Sequence, residues 1–180
     1  MNGVTRISSE QDVMMITFTE ADTASALADA LTAFAQKGVV VDMICQSAPR
    51  AATIDFSFTM PASYFESAMQ TISEYRTGAG SAPLISSGYS KINLFGEEMV
   101  TSCGVAALAL RTLRDAGIEV VLITTSDLDI SLLVRGENED SALNVLRQAF
   151  AAKTDILKNK PGPPSAEHPG LFFGCFPVTV

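Results

Sequence analysis

Ala33-Phe34-Ala35-Gln36-Lys37-Gly38-Val39 and Thr112-Leu113-Arg114-Asp115-Ala116-Gly117-Ile118 read as two copies of one passage, a shift of about 79 residues apart. Each is the end of a helix, a glycine able to take the left-handed cap conformation, and the first apolar residue of a strand. Carried forward, the same register sets Val41 on Val120, Ile44 on Ile123 and Ser47 on Ser126. The next strands match too, Ile54-Asp55-Phe56-Ser57-Phe58 against Leu128-Asp129-Ile130-Ser131-Leu132, once the first copy is allowed a longer loop. A repeat of this length is one supersecondary unit used twice.

Working outward, residues 12–19 alternate as a strand, and Leu27, Leu31, Phe34 and Ala35 recur at helical spacing before Gly38. Residues 39–45 are apolar apart from Asp42 and predict a strand with both faces partly covered. Ile54, Phe56 and Phe58 give a period-two strand. Pro61 suits a first helical turn, and Phe65, Ala68, Met69 and Ile72 give the helix after it one apolar face. The order returns: strand at 91–95, helix at 105–116 with Leu108, Ala109 and Leu113, strands at 118–124 and 128–134. A last helix at 139–150 turns Ala142, Val145, Leu146 and Phe150 inward. Each half is βαββα plus a completing strand. The handedness of the crossovers leaves an α+β fold of two tandem ferredoxin-like βαββαβ domains, with helices on one face of each antiparallel sheet. The expected domains are 12–85 and 89–150, with Gly78-Ala79-Gly80 in a flexible connection between them. One half alone would leave a sheet face and two edges in water, so the halves are expected to pack together and two chains to pair as a homodimer. Residues 158–164 (Lys-Asn-Lys-Pro-Gly-Pro-Pro) cannot extend a helix or central strand. Beyond them Leu171-Phe172-Phe173-Gly174-Cys175-Phe176 is read either as a terminal strand or as a partner-dependent tail.

Composition narrows the function classes. Hydrophobic residues make up 47% of the 180 and charged residues 18%, enough apolar material for a core and too little charge for disorder. The net charge of −8, with no Lys/Arg cluster, argues against nucleic-acid binding. Neither a signal peptide nor an apolar run of about 20 residues is present, which predicts a cytoplasmic protein off the membrane. Cys45, Cys103 and Cys175 with a single histidine, His168, offer neither a disulfide framework nor a zinc site. His168 lies in the Pro-rich tail and gives Ser or Cys no adjacent base. The chain has no phosphate-binding or dinucleotide-binding glycine loop, and nothing points to a cofactor or to catalysis.

What remains is the first strand-to-helix junction of each half, residues 19–26 and 96–105. A helix N-terminus has unpaired N–H groups and partial positive charge, which favour a carboxylate. An amino acid brings that carboxylate together with an ammonium in need of an acceptor, which Asp22, or Asp42 on the strand beside the junction, could supply. The alternative reading has Asp22 as a helix cap and Asp42 facing solvent.

Val41-Asp42-Met43-Ile44-Cys45-Gln46-Ser47 with Thr53-Ile54-Asp55-Phe56-Ser57-Phe58-Thr59 resembles the first regulatory repeat of aspartate kinases. Lys91-Ile92-Asn93-Leu94-Phe95-Gly96, Gly104-Val105-Ala106-Ala107 and Leu122-Ile123-Thr124-Thr125-Ser126-Asp127-Leu128-Asp129-Ile130-Ser131 resemble the second. The similarity runs over about 4–150. It implies tandem ACT domains that bind lysine, threonine or a related amino acid and pass the signal to a kinase catalytic subunit. It also implies pockets formed where the first repeat of one chain meets the second of another, and strand exchange that gives residues 4–8 to the second half. Position by position, it makes Asp22, Ser25, Asp42 and Gln46 ligand-binding in the first repeat and Gly104, Glu119, Thr125 and Ser126 in the second. Ala24-Ser25 stands where the family has Pro-Gly, Val40 and Glu119 where it has Asn, and Ser102-Cys103 where it has His-Pro. The kinase portion has no counterpart in these 180 residues, and a separate regulatory subunit, a stand-alone sensor and a fragment all fit. The expected function is an amino-acid-binding, feedback-sensing regulatory protein without its own catalysis. The alternatives are a structural dimerisation module with degenerate pockets and a ferredoxin-like enzyme using unfamiliar residues.

Overall fold

In the computed structural model, which describes residues 3–22, 25–50, 53–75 and 82–150, the strands form one six-stranded antiparallel sheet. Its elements are β1 (Arg6–Asp22), α1 (Ala26–Gln36), β2 (Ile44–Gln46), β3 (Thr53–Pro61), α2 (Phe65–Tyr75), β4 (Leu84–Phe95), α3 (Val105–Asp115), β5 (Leu122–Thr125), β6 (Asp129–Arg135) and α4 (Glu139–Phe150). The strand order is β2-β3-β1-β4-β6-β5. The α+β class and the antiparallel pairing agree with the sequence; two separate sheets do not, because β1 and β4 each run through both halves.

Register explains how. The later part of β1 pairs with β3 on one side, Val13 to Pro61 through Asp22 to Thr53, and with the start of β4 on the other, Thr17 to Leu84. Its earlier part pairs with the end of β4, Arg6 to Phe95 through Glu10 to Lys91, and that end pairs in turn with β6. The early part of β1 therefore adds a strand to the second half beside β4, and the start of β4 adds one to the first half beside β1. Between the two parts the ladder slips at Asp12, which has φ 56°, and at Gly88, with φ 81°. Left-handed backbone inside a strand marks a bulge, and both strands bend here.

Three apolar clusters follow from the alternation. Met14, Ile16, Phe18, Phe56, Phe58 and Met60 lie under α1 and α2 with Ala30, Phe34, Ala68 and Ile72. Phe18 stacks on Phe56 at 4.6 Å, and Phe34 meets Phe58 edge-on at 5.1 Å. Ile7, Ile92, Leu94, Ile130 and Leu132 lie under α3 and α4 with Ala109, Leu113, Leu146 and Phe150. The other face of the sheet gathers Val13, Met43, Tyr89 and Leu133 into a cluster shared by both halves. Although β2 and β5 stand at opposite ends of the strand order, they lie against each other, so the sheet curls over this third cluster until its edges meet.

Some expectations change. The helix over 65–75 buries Ala68, Thr71 and Ile72, but Phe65 and Met69 are exposed, because the stripe facing the core is narrow and passes through Thr71 rather than Phe65 and Met69. Regular strand in the apolar run 39–45 begins only at Ile44; Val39–Met43 is an extended approach anchored by Asp42 N–H to Thr59 O, 2.9 Å. The glycine connection at 78–80 and the tail from 151 lie outside the described residues.

Phe58 is fully buried and lies against three other aromatic rings, those of Phe18, Phe34 and Phe56. Phe58→Ala is expected to cost about 3–5 kcal/mol by urea unfolding, the range for emptying a packed aromatic site; a loss under about 1 kcal/mol would contradict this packing.

Candidate functional site

The two junctions take their shape from the path of the chain. β1 ends at Asp22, and α1 starts after Ser25 and runs back along the sheet for 11 residues, about 16 Å. The chain re-enters the sheet at its far end and returns through β2, so Gln46, opposite Phe56, comes back to the level of Phe18. Asp42 does not. It sits beside Thr59, which pairs with Met15, seven residues along β1 from Asp22. At about 3.3 Å per residue this is about 23 Å of strand. The expectation that Asp42 flanks the first junction is therefore corrected: the helix between them carries the chain the length of the sheet. The second half repeats the geometry. Gly104 caps α3, Glu119 is exposed at the far end, and Thr125 and Ser126 return to the junction, where Gly96 N–H donates to Leu128 O at 2.9 Å. Asp22, Ser25 and Gln46 thus share one end of the molecule and Gly104, Thr125 and Ser126 another, with Asp42 and Glu119 at neither.

The side chains at these ends differ in how free they are. Ser25 is exposed at the start of α1 and makes no side-chain capping bond; its carbonyl accepts Asp29 N–H at 2.9 Å. The N-cap position is Ser25, not Asp22. Gly104 has φ 85°, where a Cβ costs about 1–2 kcal/mol, so this start of α3 is built for glycine. Gly96 is extended, but a Cβ there would lie 1.7 Å from Gly3 O; the N-terminal segment presses on the second junction. Ser126 is engaged: its Oγ accepts Asp129 N–H at 3.1 Å and Leu128 N–H at 3.2 Å and donates to Asp129 Oδ2 at 3.0 Å, while its N–H donates to Asp129 O at 2.9 Å. Ser47 makes the matching backbone bonds in the first half, with Asp55 N–H to its Oγ at 3.0 Å and its own N–H to Asp55 O at 2.8 Å, while its hydroxyl donates to Ala48 O at 3.2 Å. The serine matched in the repeat thus ties the same hairpin in both halves, through the backbone N–H and carbonyl of Asp129 in one and of Asp55 in the other.

Two charged groups went without a role in the sequence reading. Lys91, 17% exposed, donates from Nζ to Glu10 Oε2 at 3.2 Å and, in a shorter contact, to Asp42 Oδ2. Burial alone would lower the Lys91 pKa, but the hydrogen bonds and negative charges of Asp42 and Glu10 outweigh it and raise the value above the usual lysine range. Glu139, the first residue of α4, is buried and accepts from Ser9 Oγ at 2.7 Å, Gln11 Nε2 at 2.8 Å and Ser90 Oγ at 2.8 Å. A charge on a strand or an acid at a helix start reads as solvated surface; only the bend of β1 and β4 brings these partners together. Lys91 had one signal, a lone cation among apolar alternation.

A family model described as ACT domain matches residues 92–150. An aspartokinase of Geobacillus stearothermophilus is 31% identical over 124 residues, 69% of this chain and 30% of that protein. One of Corynebacterium glutamicum is 29% identical over 153 residues, 83% of this chain and 36% of that protein. The chain spans about a third of the length of these curated relatives. The crystal structure of aspartokinase alpha and beta subunits superposes with TM-score 0.75 at 29% identity, covering 82% of this chain and 99% of that one. The ligand-free regulatory subunit of aspartate kinase from Thermus thermophilus gives 0.77 at 23% identity, with the same coverage, and shares the fold. Among the described residues no helix is long and apolar enough to cross a membrane.

Ser126→Ala is expected to cost about 1 kcal/mol in urea unfolding, since the turn it staples is exposed and water replaces part of the loss. Lys91→Met is expected to cost about 1–2 kcal/mol at neutral pH, between the values for exposed and buried pairs. Because the folded Lys91 pKa is raised, the stability it adds is complete below the unfolded lysine value of about 10.4 and is lost as pH rises through the folded value. The gap between wild type and Lys91→Met in urea melts should hold from about pH 7 to 10 and close above that; a gap that closes by about pH 9 would refute the pairing.

Proposed function

We propose that this chain, whose residues 92–150 are an ACT domain and whose fold is that of aspartate kinase regulatory subunits, is a regulatory module that binds a free amino acid. It is read as two domains, 12–85 and 89–150, with residues 4–8 serving the second. The observation that carries the reading is the pair of helix N-termini at the ends of β1 and β4, each beside the returning end of an edge strand. The partial positive charge of the helix starts at Ser25 and Gly104 suits a carboxylate. Strand-end polar groups, Gln46 in one half and Thr125 in the other, lie at the right end of the sheet to meet the rest of the molecule. Lysine, threonine or a close relative is the ligand class, in line with the aspartokinase relatives, and a kinase catalytic subunit in the cytoplasm is the partner that reads the signal.

A pocket shared between a first and a second half cannot form within one chain, because the two junctions lie at opposite ends of β1. That strand has 17 residues and a contour of about 50 Å. A second copy running the other way brings Gln46 of one chain toward Gly104 of its partner. The functional unit is therefore a homodimer with two equivalent pockets. Within it Ser126 acts through the turn it holds, and Asp42 and Glu119 act away from the pocket.

A thermal-shift screen against the twenty amino acids and diaminopimelate, run with sedimentation at each condition, tests this. Ligand at a hundred times its Kd adds about 2.7 kcal/mol, a rise of about 5–10 °C for a chain of this size. A selective rise with lysine, threonine or a chemical relative, in a species sedimenting as a dimer, is the expected result. A flat screen from a folded dimer would leave a dimerisation scaffold with degenerate pockets as the function, and a monomer that binds would overturn the shared pocket.

A further inference from the structure

We propose that Lys91 and Asp42 form a releasable latch that closes the two halves of the molecule over a hinge in β1 and β4. The hinge is where both long strands leave their ladder, at Asp12 and Gly88, which stand beside the pair Val13 and Tyr89. Left-handed φ at a non-glycine residue inside a strand is costly, and Asp12 is held there by what surrounds it.

The second half grips this bend on the helix face. Glu139 takes bonds from Ser9 and Gln11 before and beside the β1 bulge and from Ser90 just after the β4 bulge. Gly136 sits against Gly88 O, so close that an added Cβ would lie 3.1 Å from it. On the opposite face Lys91, also from the second half, reaches Glu10 on its own side and Asp42 on the other. Among the described residues, Lys91 to Asp42 is the ion pair that joins the halves; Lys37 to Glu74 lies within the first half and Arg114 to Asp115 within the second. The titratable groups facing the Lys91 ammonium are Glu10 on β1 and Asp42 ahead of β2, and its neighbour Tyr89 lies on the same sheet face.

Among the described residues, the shared cluster beneath the latch has four buried side chains, Val13, Met43, Tyr89 and Leu133, with Met15, Val121 and Leu122 partly buried against them, compared with 12 and 15 buried in the two main cores. Closure at this waist therefore depends on few apolar contacts, and a charge pair adjoining it carries a large share. Asp42 lies at the waist end of the strand whose other end is Gln46, and β5, which touches β2, ends at Thr125. Opening or closing the latch shifts both edge strands together and so links the two ends of the molecule. That use of the latch rests on the reading of those ends as amino-acid sites; the latch itself does not.

Amide hydrogen exchange on the full chain, without ligand, decides it. Asp42→Asn and Lys91→Met are each expected to speed exchange about tenfold in Met43 and β2 and in β5, with β4 from Ile92 onward and α4 unchanged, while Lys91→Arg keeps the wild-type pattern. Lys37→Met, which breaks a surface pair inside one half, should change neither edge strand. The proposal falls if β2 and β5 exchange at the wild-type rate in Asp42→Asn, or if exchange rises equally in every element. Should Lys91→Met fail to fold, Asp42→Asn decides alone, since Asp42 is 42% exposed and its replacement leaves the fold free to form. A flat amino-acid screen combined with faster β2 and β5 exchange would reject the sensing role and keep the latch.

Discussion

The antiparallel pairing of β1 with β4 is the constraint on which the rest depends. Each strand is long enough to run through both halves of the one sheet, and each lends one end to the half that the other begins. Neither half is then complete without the other's strand, and neither main core is covered on its sheet side by its own segment alone. Backbone donors and acceptors left open at the edge of one half are satisfied by chain from the other, which is the cheapest way to close an edge without adding residues. The cost is local. The two strands stay paired through a bend where each gains a second neighbour, and their ladder slips there at Asp12 and Gly88, where the chain accepts left-handed backbone.

From this frame the positions of the polar residues follow. A helix that returns the chain along the sheet separates residues that are neighbours in the unit's consensus order, so the end of a strand and the start of the next lie a sheet length apart. Asp42 and Gln46 are four positions apart in sequence and belong to different places, one at the waist with Lys91 and the other near the α1 junction. Ser126 and Ser47 hold the same hairpin in the two halves, each using its hydroxyl and N–H on the backbone of an aspartate of the following strand.

The buried carboxylate of Glu139 shows the same economy. Three neutral donors from β1 and β4 replace the water lost on burial, and the start of α4 adds its own partial positive charge. A fully bonded acid at a strand bend fixes geometry better than an apolar side chain could, because its bonds have direction. On the other face Lys91 divides its ammonium between two carboxylates, one in each half. Bends in long strands are soft unless pinned, and here the pins are polar while the bulk of the fold is held by two apolar cores.

Periodicity and the repeat fixed what depends on local order. Ile54-Asp55-Phe56-Ser57-Phe58 had to be a strand with one buried face, Gly38 and Gly117 had to end helices, and the matched blocks had to be the same unit, because alternation and cap chemistry act within a few residues. The α+β class and the location of both junctions were legible for that reason. Local order says nothing about partners far away in sequence. That β1 extends from Arg6 and gains β3 as a second partner at Val13, that Asp42 meets Lys91 rather than the first junction, and that Ser9, Gln11 and Ser90 converge on Glu139 are consequences of strand register between segments 49 to 130 positions apart. Register is set by the summed packing of whole sheets, and only the tertiary structure carries that sum.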